Sequence, residues 1–431
     1  MNLESIYRLY LECSGVSTDT RKTVPESMFF ALRGASFNGN AYATNALDNG
    51  CKYAVVDEPA YAVSGDERYI LVDDCLETLQ LLARYHRKQL GTKIIGITGT
   101  NGKTTTKELI AAVLSQKFSV LYTEGNLNNH IGVPLTLLRL KPSHEIAVVE
   151  MGANHPGEIK FLSNIAEPDY GIITNVGKAH LEGFGSFEGV IRTKSELYDF
   201  LRRSELKTVF VDYDNPYLTK MAAGLNTVYY GKEENLFVNG RVTGNSPFLS
   251  MEWRLGDGNY RSLDTRLIGS YNFTNILAAI TIGCYFDVDK LSINKALQEY
   301  TPRNNRSQLT KTEKNTLIVD AYNANPTSMM AALENFRQMD GNLKIVILGD
   351  MRELGNDSRA EHLKIIDYLE TAGFEKVILI GEEFSSLKSK FDSFGNVDDF
   401  INDIERFDLL NKVILIKGSN GVNLNRVIPF L

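Results

Sequence analysis

The sequence predicts an α/β protein of three domains, and three observations support this prediction. First, residues 93–107 (KIIGITGTNGKTTTK) indicate an apolar β-branched strand, a glycine-bearing turn and the start of a helix. Second, strand and helix patterns alternate from residue 93 to about 300, which favours a mostly parallel sheet. Third, a Pro- and Asn-rich break at residues 302–308 (PRNNRSQ) precedes a fresh α/β pattern. We therefore predict a small N-terminal α/β domain (1–90), a central phosphate-loop parallel-sheet domain (91–301) and a C-terminal Rossmann-like α/β domain (302–431).

The composition is that of a globular protein without a nucleic-acid partner. A chain of 431 residues is too long for one compact core. Its net charge of −7 argues against a broad nucleic-acid-binding surface. No apolar run approaches the ~20 residues of a membrane span, and the N-terminal segment lacks the pattern of a signal peptide. The four cysteines show no metal-ligand spacing, so we expect reduced thiols in a cytoplasmic protein.

The first domain is predicted to contain short strands at 28–32, 53–56 and 70–72, followed by a helix over 78–90. Before them, Thr18, Asp19, Thr20 and Arg21 combine hydroxyls, a carboxylate and a guanidinium. Residue types alone support two interpretations equally, a binding site or a turn with a capping aspartate.

The turn after the strand at 94–97 has the features of an anion site. Gly99 and Gly102 permit a tight bend that presents backbone N–H groups at the start of a helix over 104–114. Lys103 offers a charge to the β and γ phosphates of a nucleotide, and Thr104 offers a hydroxyl to Mg²⁺. The spacing GxxGKTT is shorter than the usual phosphate loop. A plain strand-turn-helix corner with a surface lysine is the alternative, but the co-occurrence of these residues after an apolar strand favours phosphate binding.

Further candidates follow strand ends of the central domain. Glu150 comes after a strand at 145–149, in the position of a Mg²⁺-organising acid, although a solvated carboxylate is the alternative. His180 lies in a glycine-rich loop after a strand at 170–174, and Lys194 lies on a helix at 191–201. A packing histidine and an exposed lysine are the simpler interpretations. The asparagines of residues 123–138 (TEGNLNNHIGVPLTLL) are suited either to substrate binding or to turns.

The remaining chain predicts an appendage and a second sheet. Short segments at 227–268 indicate antiparallel strands, and a strong helix follows from residue 269. After the break, strands are expected at 316–319, 344–348, 376–380 and 413–416, with helices at 328–339 and 359–371. The loops DAYNANP (320–326), GDMRELG (349–355) and KGSNG (417–421) follow strand ends, so we expect them to face one cleft.

Taken in order, these motifs resemble the Mur ligase family across essentially the whole chain. The resemblance rests on GTNGKTT, EMG, TNVGKAHLEGFGS, TKSEL, SYNFTN and the arginine after the break. Within the family, TEGNLNNHIGVPLTLL, EMGANHPGEI, DAYNANPTSM and GDMRELG are most similar to members that add D-alanyl-D-alanine to UDP-N-acetylmuramoyl-tripeptide. The resemblance implies ATP-dependent ligation through an acyl phosphate, in peptidoglycan synthesis. It also implies a monomer without membrane insertion.

The resemblance also implies roles for individual residues. ATP would be bound by Gly99, Thr100, Asn101, Gly102, Lys103, Thr104, Thr105, Asn272, Arg306, Asp320 and Tyr322. Two Mg²⁺ ions would be held by Thr104, Glu150, His180 and Lys194, the lysine being N-carboxylated, and catalysis would involve Lys103, His180 and Lys194. UDP-N-acetylmuramoyl-tripeptide would be contacted by Thr18, Asp19, Thr20, Arg21, Thr123, Asn126 and Asn129. D-alanyl-D-alanine would be contacted by Asn323 and Asn325.

Two departures from the family pattern affect only the substrate side. Asn38 and Asn40 stand where an aspartate and a histidine are common, and Asn420 stands where an arginine is frequent. The alternatives are another Mur-type ligase, a folylpolyglutamate-type amide ligase, or a non-catalytic nucleotide-binding scaffold. The DAYNANP and GNLNN segments argue against the other ligases, and the complete set of implied metal ligands argues against a scaffold.

Overall fold

The computed structural model describes residues 2–203, 207–302, 306–340 and 343–431. The chain divides into two compact units. The first comprises the chain up to residue 97 together with 118–153 and 157–171, and the second comprises 98–117, 154–156 and 172–431. The three domain boundaries inferred from the sequence stay a prediction. Residues 303–305 of the predicted linker lie outside the described residues.

The N-terminal region forms a four-stranded parallel sheet. Its strands run in the order β1-β2-β5-β6, and β3 and β4 form a separate antiparallel pair. The elements are α1 (Leu3–Leu11), β1 (Val16–Ser17), β2 (Met28–Phe30), β3 (Arg33–Gly34), β4 (Phe37–Asn38), α2 (Ala43–Asp48), β5 (Tyr53–Val56), β6 (Tyr69–Leu71) and α3 (Cys75–Leu90). Helix α3 begins three residues before the predicted position because Asp74 caps it, accepting from the Glu77 N–H at 2.7 Å. It ends at Gly91, which has a φ of +65°.

The strand that precedes the phosphate loop belongs to a parallel arrangement, as predicted. Strand β9 pairs in parallel with both β7 and β8, and the apolar residues of β7 and β9 are fully buried. A strand buried on both faces needs the continuous apolar run that the sequence shows here. The elements of this stretch are β7 (Lys93–Thr98), α4 (Lys103–Leu114), β8 (Val120–Tyr122), α5 (Gly132–Leu137), β9 (Ile146–Glu150), α6 (Glu158–Ala166), β10 (Tyr170–Ile173), α7 (Leu181–Phe184) and α8 (Phe187–Leu201).

The stretch from 208 to 299 corrects one prediction. Its elements are β11 (Thr208–Asp212), α9 (Pro216–Met221), β12 (Asn226–Gly231), β13 (Val238–Asn245), β14 (Leu249–Leu255), β15 (Arg261–Asp264), α10 (Asn272–Tyr285) and α11 (Lys290–Glu299). Strands β13, β14 and β15 are antiparallel, as expected, but β12 pairs in parallel with β11 and β13. The antiparallel prediction was therefore wrong for TVYYG. Helix α9 makes the crossover that returns the chain in the same direction.

The C-terminal region is a doubly wound sheet, which confirms the prediction of a second parallel sheet. Its strand order is β16-β17-β21-β18-β19-β20, with only β16 antiparallel. Apolar clusters lie on both faces. The elements are β16 (Gln308–Lys311), β17 (Thr316–Asp320), α12 (Pro326–Gln338), β18 (Lys344–Gly349), α13 (Ser358–Ala372), β19 (Lys376–Ile380), α14 (Glu382–Ser385), β20 (Asp392–Phe394), α15 (Val397–Asp403) and β21 (Val413–Lys417). Among the helices described, none is both long and apolar enough to cross a membrane.

Candidate active site

The phosphate loop, residues 99–105, depends on its two glycines. Gly99 has a φ of +144° and Gly102 a φ of +77°. A Cβ on Gly99 would lie 2.0 Å from Thr174 Oγ1, and one on Gly102 would lie 2.7 Å from Asn275 Oδ1. Both the backbone conformation and the close neighbours therefore require glycine. Helix α4 begins directly after Gly102 without a side-chain cap, so its first N–H groups face the loop, as in anion sites at helix N-termini.

Side chains from the end of β10 hold the loop in shape. The Asn101 N–H donates to Asn175 Oδ1 at 2.9 Å, and Asn175 Nδ2 returns a bond to the Asn101 carbonyl at 3.0 Å. Thr174 Oγ1 donates to the same carbonyl at 2.6 Å. The ammonium of Lys103 donates to the carbonyls of Gly99 and Thr100 at 2.9 and 3.1 Å. The loop is thus preformed, with its lysine folded back over it.

Two asparagines of the SYNFTN motif lie behind the loop. Asn272, the predicted adenine contact, is buried and donates through Nδ2 to the Ile268 carbonyl at 2.8 Å. Its Oδ1 accepts from Asn275 Nδ2 at 2.9 Å, and Asn275 Oδ1 accepts from Thr106 Oγ1 at 3.0 Å. Sequence reasoning missed Asn275. Its position three residues after Asn272, on the same helix face, could have revealed it.

Phe184 contacts two of the predicted metal ligands, His180 and Lys194. His180 lies in the loop after β10 with a left-handed backbone (φ +50°), and its ring packs edge-on against Phe184 at 6.1 Å. Lys194 on α8 places Nζ 5.3 Å from the centre of the same ring. The lysine is only 1% exposed, so the exposed-lysine alternative is wrong. A buried lysine can change its charge state more readily than a solvated one, because burial disfavours the ammonium.

His180 has a carboxylate partner from the C-terminal region. Its Nδ1 contacts Oε2 of Glu353 in the GDMRELG loop. This interaction with His180 lowers the pKa of Glu353, against the opposing effect of burial. The carboxylate is therefore ionised at neutral pH. Glu353 was not among the residues singled out from the sequence, because nothing in its spacing links it to residue 180.

In the first unit, Glu150 is a buried carboxylate at the end of β9. It is 1% exposed, which rules out the solvated-carboxylate alternative. Asn128 Nδ2 donates to its Oε1 at 2.8 Å, and its backbone N–H donates to Thr123 Oγ1 at 2.9 Å. Thr123, a predicted substrate contact, is fully buried here. Sequence reasoning missed Asn128, although it lies within the GNLNN segment.

The other predicted substrate residues of the first unit occupy turns. Asn129 Oδ1 accepts from the N–H groups of Ile131 and Gly132 at 3.1 and 2.8 Å, whereas Asn126 is exposed. Asp19 accepts from the Arg21 N–H at 3.0 Å and from its guanidinium at 2.8 Å. These hydrogen bonds from Arg21 lower the pKa of Asp19 to about 2. The capped-turn interpretation of residues 18–21, with Thr18 and Thr20 half-buried, is confirmed, and a binding role stays a prediction.

The predicted residues of the C-terminal region form two pairs. The Arg306 guanidinium lies 3.9 Å from the centre of the Tyr322 ring, and its Nε has no hydrogen-bond partner among the residues that the structure describes. Asp320 Oδ2 accepts from Nζ of Lys417 at 2.7 Å. Lys417 is 1% exposed and also donates to the Asn323 carbonyl at 3.2 Å. Lys417 begins the KGSNG loop expected at the cleft, but the sequence did not single it out as a partner of Asp320.

Asn323 and Asn325 already have local partners. Asn323 Oδ1 accepts from the Ala324 N–H at 2.9 Å. Asn325 is the N-cap of α12, forms a capping box with Ser328, and donates through Nδ2 to Asn101 Oδ1 at 2.7 Å. The structure therefore brings Asn325 to the phosphate loop rather than leaving it as a free contact.

These features define a class of protein: an α/β enzyme whose phosphate loop is contacted by a side chain of a second α/β region, Asn325 at the start of α12. Three family descriptions match the chain, namely the Mur ligase family catalytic domain (residues 12–87), the Mur ligase middle domain (97–283) and the Mur ligase glutamate ligase domain (305–420). The chain belongs to the Mur ligase family. The α/β fold and the resemblance inferred from the sequence are thereby confirmed.

Full-length relatives agree with this assignment. The UDP-N-acetylmuramoyl-tripeptide–D-alanyl-D-alanine ligase of Bacillus subtilis is 34% identical over 97% of this chain and 93% of its own length. The enzyme of the same name from Escherichia coli is 32% identical over 96% of this chain and 93% of its own length. Two solved structures are similar throughout. MurF from Acinetobacter baumannii has a TM-score of 0.86, 29% identity and coverage of 96% and 92% of the two chains. MurF from Thermotoga maritima in complex with ADP has a TM-score of 0.84, 27% identity and coverage of 97% of each chain.

Proposed function

We propose that this protein is the ATP-dependent ligase that joins D-alanyl-D-alanine to UDP-N-acetylmuramoyl-tripeptide, a cytoplasmic step of peptidoglycan synthesis. The observation that carries the proposal is the 34% identity, over 97% of the chain, to a ligase of that name. The preformed phosphate loop is what such an enzyme requires. The products would be UDP-N-acetylmuramoyl-pentapeptide, ADP and phosphate.

The reaction requires two anions, ATP and the terminal carboxylate of the tripeptide, to approach each other. A carboxylate is a poor acylating agent until one of its oxygens becomes part of a phosphate leaving group. Transfer of the γ-phosphoryl group of ATP to the terminal carboxylate of the tripeptide gives an acyl phosphate, and the amine of the dipeptide then displaces phosphate. The protein must hold the reactants in line and stabilise the negative charge. Lys103 and the loop amides are suited to this task because they lie together at the start of α4.

Nucleotide binding would use residues of both sheets of the second unit. Residues 99–105 would hold the phosphates, and Asn272 would bind adenine. Arg306 and Asp320 would reach the phosphates and the ribose, with Tyr322 beneath the guanidinium. The lack of a hydrogen-bond partner for Arg306 Nε among the described residues supports this role, because such a group is costly unless a ligand satisfies it.

Magnesium would be held by oxygen ligands. Within the described ranges, no three side chains of histidine, cysteine, aspartate or glutamate form a metal cluster. Mg²⁺ is commonly bound by one or two carboxylates, substrate phosphates and water, so the residues present fit it. Glu150, fixed by Asn128, and Thr104 would hold the first ion. His180 and N-carboxylated Lys194 would hold the second. When bound, Mg²⁺ would neutralise charge on the reacting phosphates.

The two substrates would be bound by different sets of residues. Thr18, Asp19, Thr20 and Arg21 would bind the uridine nucleotide, and Thr123, Asn126 and Asn129 would meet the muramoyl-peptide. Asn323 and Asn325 would line the dipeptide site. Because Asn129 and Asn325 already make local hydrogen bonds, these two residues would shape the site through the backbone that they hold.

Substrate profiling tests the proposal. Purified protein with Mg²⁺ and ATP should release phosphate only when UDP-N-acetylmuramoyl-tripeptide and D-alanyl-D-alanine are both present. Strong turnover with a single amino acid would instead indicate another Mur-type or folylpolyglutamate-type ligase.

A further inference from the structure

We propose that Glu353 is the positioning residue of His180, holding the imidazole in one orientation and one tautomer. The proposal rests on the proposed function for the role of His180 in ligation. The orienting contact itself stands on geometry: Glu353 Oε2 contacts His180 Nδ1, a buried nitrogen for which the described residues provide no hydrogen bond of regular geometry. The two residues are 173 positions apart in the sequence, so the contact is made entirely by tertiary structure.

Both residues have unusual backbone conformations. His180 has a φ of +50° and Glu353 a φ of +64°. Left-handed backbone is uncommon outside glycine and carries a cost, which the surrounding structure must offset. Two such residues from different loops meet side chain to side chain. Strained positions of this kind cluster at functional sites, where they aim a side chain.

The segment that carries His180 contacts the C-terminal region on both sides of the histidine. Lys178 Nζ donates to Glu361 Oε1 at 3.1 Å, and a Cβ on Gly177 would lie 3.1 Å from Thr327 Oγ1. On the other side of His180, a Cβ on Gly355 would lie 3.3 Å from Glu182 Cβ. The contact between His180 and Glu353 therefore lies beside packed residues on both sides, although the Glu353 side chain is itself about half exposed.

Hydrogen bonds hold the backbone that leads into Glu353. Two residues before Glu353, the Met351 N–H donates to Nε2 of His362, which is fully buried. The Arg352 N–H donates to Ser419 Oγ at 3.0 Å, and its guanidinium donates to the Gly421 carbonyl at 3.1 Å. These bonds fix the backbone on the N-terminal side of Glu353. A fixed backbone limits the positions that the Glu353 carboxylate can take beside the ring that it contacts.

The contact determines which ring nitrogen is available. A carboxylate at Nδ1 favours the tautomer with hydrogen on Nδ1, so the lone pair lies on Nε2. Nε2 is then the nitrogen that can accept a proton or bind a cation. Carboxylates orient metal-binding histidines in this way, and losing them typically costs 10- to 100-fold in affinity or activity. The C-terminal region thus contributes the group that orients His180.

The first experiment is a double-mutant cycle on the full-length enzyme. Glu353→Ala should lower kcat by roughly 10- to 100-fold, with the KM for ATP changed by less than about twofold. In a His180→Ala background the same substitution should have no further effect, because the two residues act as one unit. Glu353→Gln should recover part of the rate, since a glutamine places an amide oxygen where it can accept from Nδ1. Lys178→Ala is the matched control: it breaks a contact of the same interface and should leave the rate within about twofold.

The second experiment reads the tautomer directly and needs no turnover. The chain has six histidines, so ¹⁵N-histidine labelling gives few ring signals, and His180→Ala identifies those of residue 180. At pH 8, where an ordinary imidazole is neutral, wild-type His180 should carry its hydrogen on Nδ1. In Glu353→Ala the signals should shift towards the Nε2–H form, while Lys178→Ala should leave them unchanged. An unchanged tautomer in Glu353→Ala, or full additivity in the cycle, would overturn the proposal. A protein that shows the tautomer shift but does not ligate the two substrates would instead refute the proposed function.

Discussion

The side-chain amide of Asn325 donates a hydrogen bond of 2.7 Å to Oδ1 of Asn101, connecting the first turn of α12 to the phosphate loop. The same Asn325 accepts from the Ser328 N–H at 2.9 Å through its Oδ1 and so begins the helix. Asn101 is held from the other side by Asn175. A single asparagine thus both caps a helix and steadies the loop proposed to hold the nucleotide.

Replacing Asn325 should therefore reduce stability. Asn325→Ala removes an N-cap, which typically costs about 1 kcal/mol, and a hydrogen bond worth about 1 kcal/mol. We expect a loss of roughly 2 kcal/mol in the free energy of unfolding, measured by urea titration. Asn323→Ala is the control and should cost less, since within the described part of the chain the Asn323 side chain bonds only the adjacent Ala324 N–H. An unchanged unfolding curve for Asn325→Ala, with a raised KM for D-alanyl-D-alanine, would favour a direct substrate role instead.

Substitution of Lys194 tests whether this lysine acts in its N-carboxylated form. If it acts as a carbamate, both Lys194→Ala and Lys194→Arg should abolish ligation, because arginine keeps the positive charge but cannot supply an anionic oxygen. Small carboxylic acids should partly restore the alanine variant by supplying that oxygen. Lys220→Ala, an exposed lysine on α9, should have no effect. Full activity in Lys194→Ala, or in Lys194→Arg, would contradict the proposed metal role.

Substitution of Lys103 tests whether the protein is an enzyme or a nucleotide-binding scaffold. Its ammonium lies over the loop carbonyls of Gly99 and Thr100 and would turn to the phosphates of ATP. Lys103→Ala should reduce kcat by on the order of 10²-fold, the typical cost of removing one group that stabilises the transition state. The rate of phosphate release with all three substrates measures this. Ligation at the wild-type rate would show that the loop does not take part in the chemistry.

Local sequence patterns predicted the bounds of an element well where that element is a strongly apolar segment. Strand β19 lies at its predicted bounds, Lys376–Ile380, because a short apolar run bounded by polar residues is compatible with few alternatives. Strand β12 has a similar local pattern, yet its parallel pairing was not predicted. The direction of a strand depends on the connection before it, and helix α9 was not recognised in the sequence.

The candidate site shows more clearly that local sequence patterns do not reveal contacts between distant residues. The phosphate loop could be predicted because its glycines, lysine and threonines are consecutive. Asn128 and Glu353 could not be predicted, since the role of each depends on a contact with a residue that is distant in the sequence. The burial of Lys194 could not be predicted from the sequence either, because one polar residue on an amphipathic helix has no periodic pattern of its own.

The buried ion pair between Lys417 and Asp320 should be sensitive to the loss of one partner. Lys417→Met leaves the Asp320 carboxylate without its cation in a mostly buried position. Removing one partner of a buried pair typically costs about 3 kcal/mol or more. We expect the free energy of unfolding to fall accordingly, and the double variant Lys417→Met/Asp320→Leu to recover part of the loss. A double variant less stable than Lys417→Met alone would contradict this account.

Asp212, at the end of β11, should make stability depend on pH. Burial, reinforced by the neighbouring Asp214 carboxylate, raises the pKa of Asp212 to about 6 from an ordinary value of 3.8. Between these two values the folded protein binds a proton that the unfolded chain has released, so the free energy of unfolding falls as pH rises from about 4 to 6. Each pKa unit corresponds to about 1.4 kcal/mol, which gives a total of roughly 2–3 kcal/mol.

Asp212→Asn should remove this pH dependence. An asparagine keeps an oxygen that can accept from the Asp214 N–H, a bond of 3.1 Å in the native protein, but has no charge to bury. Urea unfolding at pH 4, 5, 6 and 7 measures this. The free energy of unfolding of the variant should increase relative to that of the wild type up to about pH 6, and the difference should stay constant above it. Asp214→Asn, which removes the like charge but leaves Asp212 buried, should reduce the difference without abolishing it. Parallel curves for the wild type and Asp212→Asn would show that Asp212 titrates in the folded protein as it does in the unfolded chain.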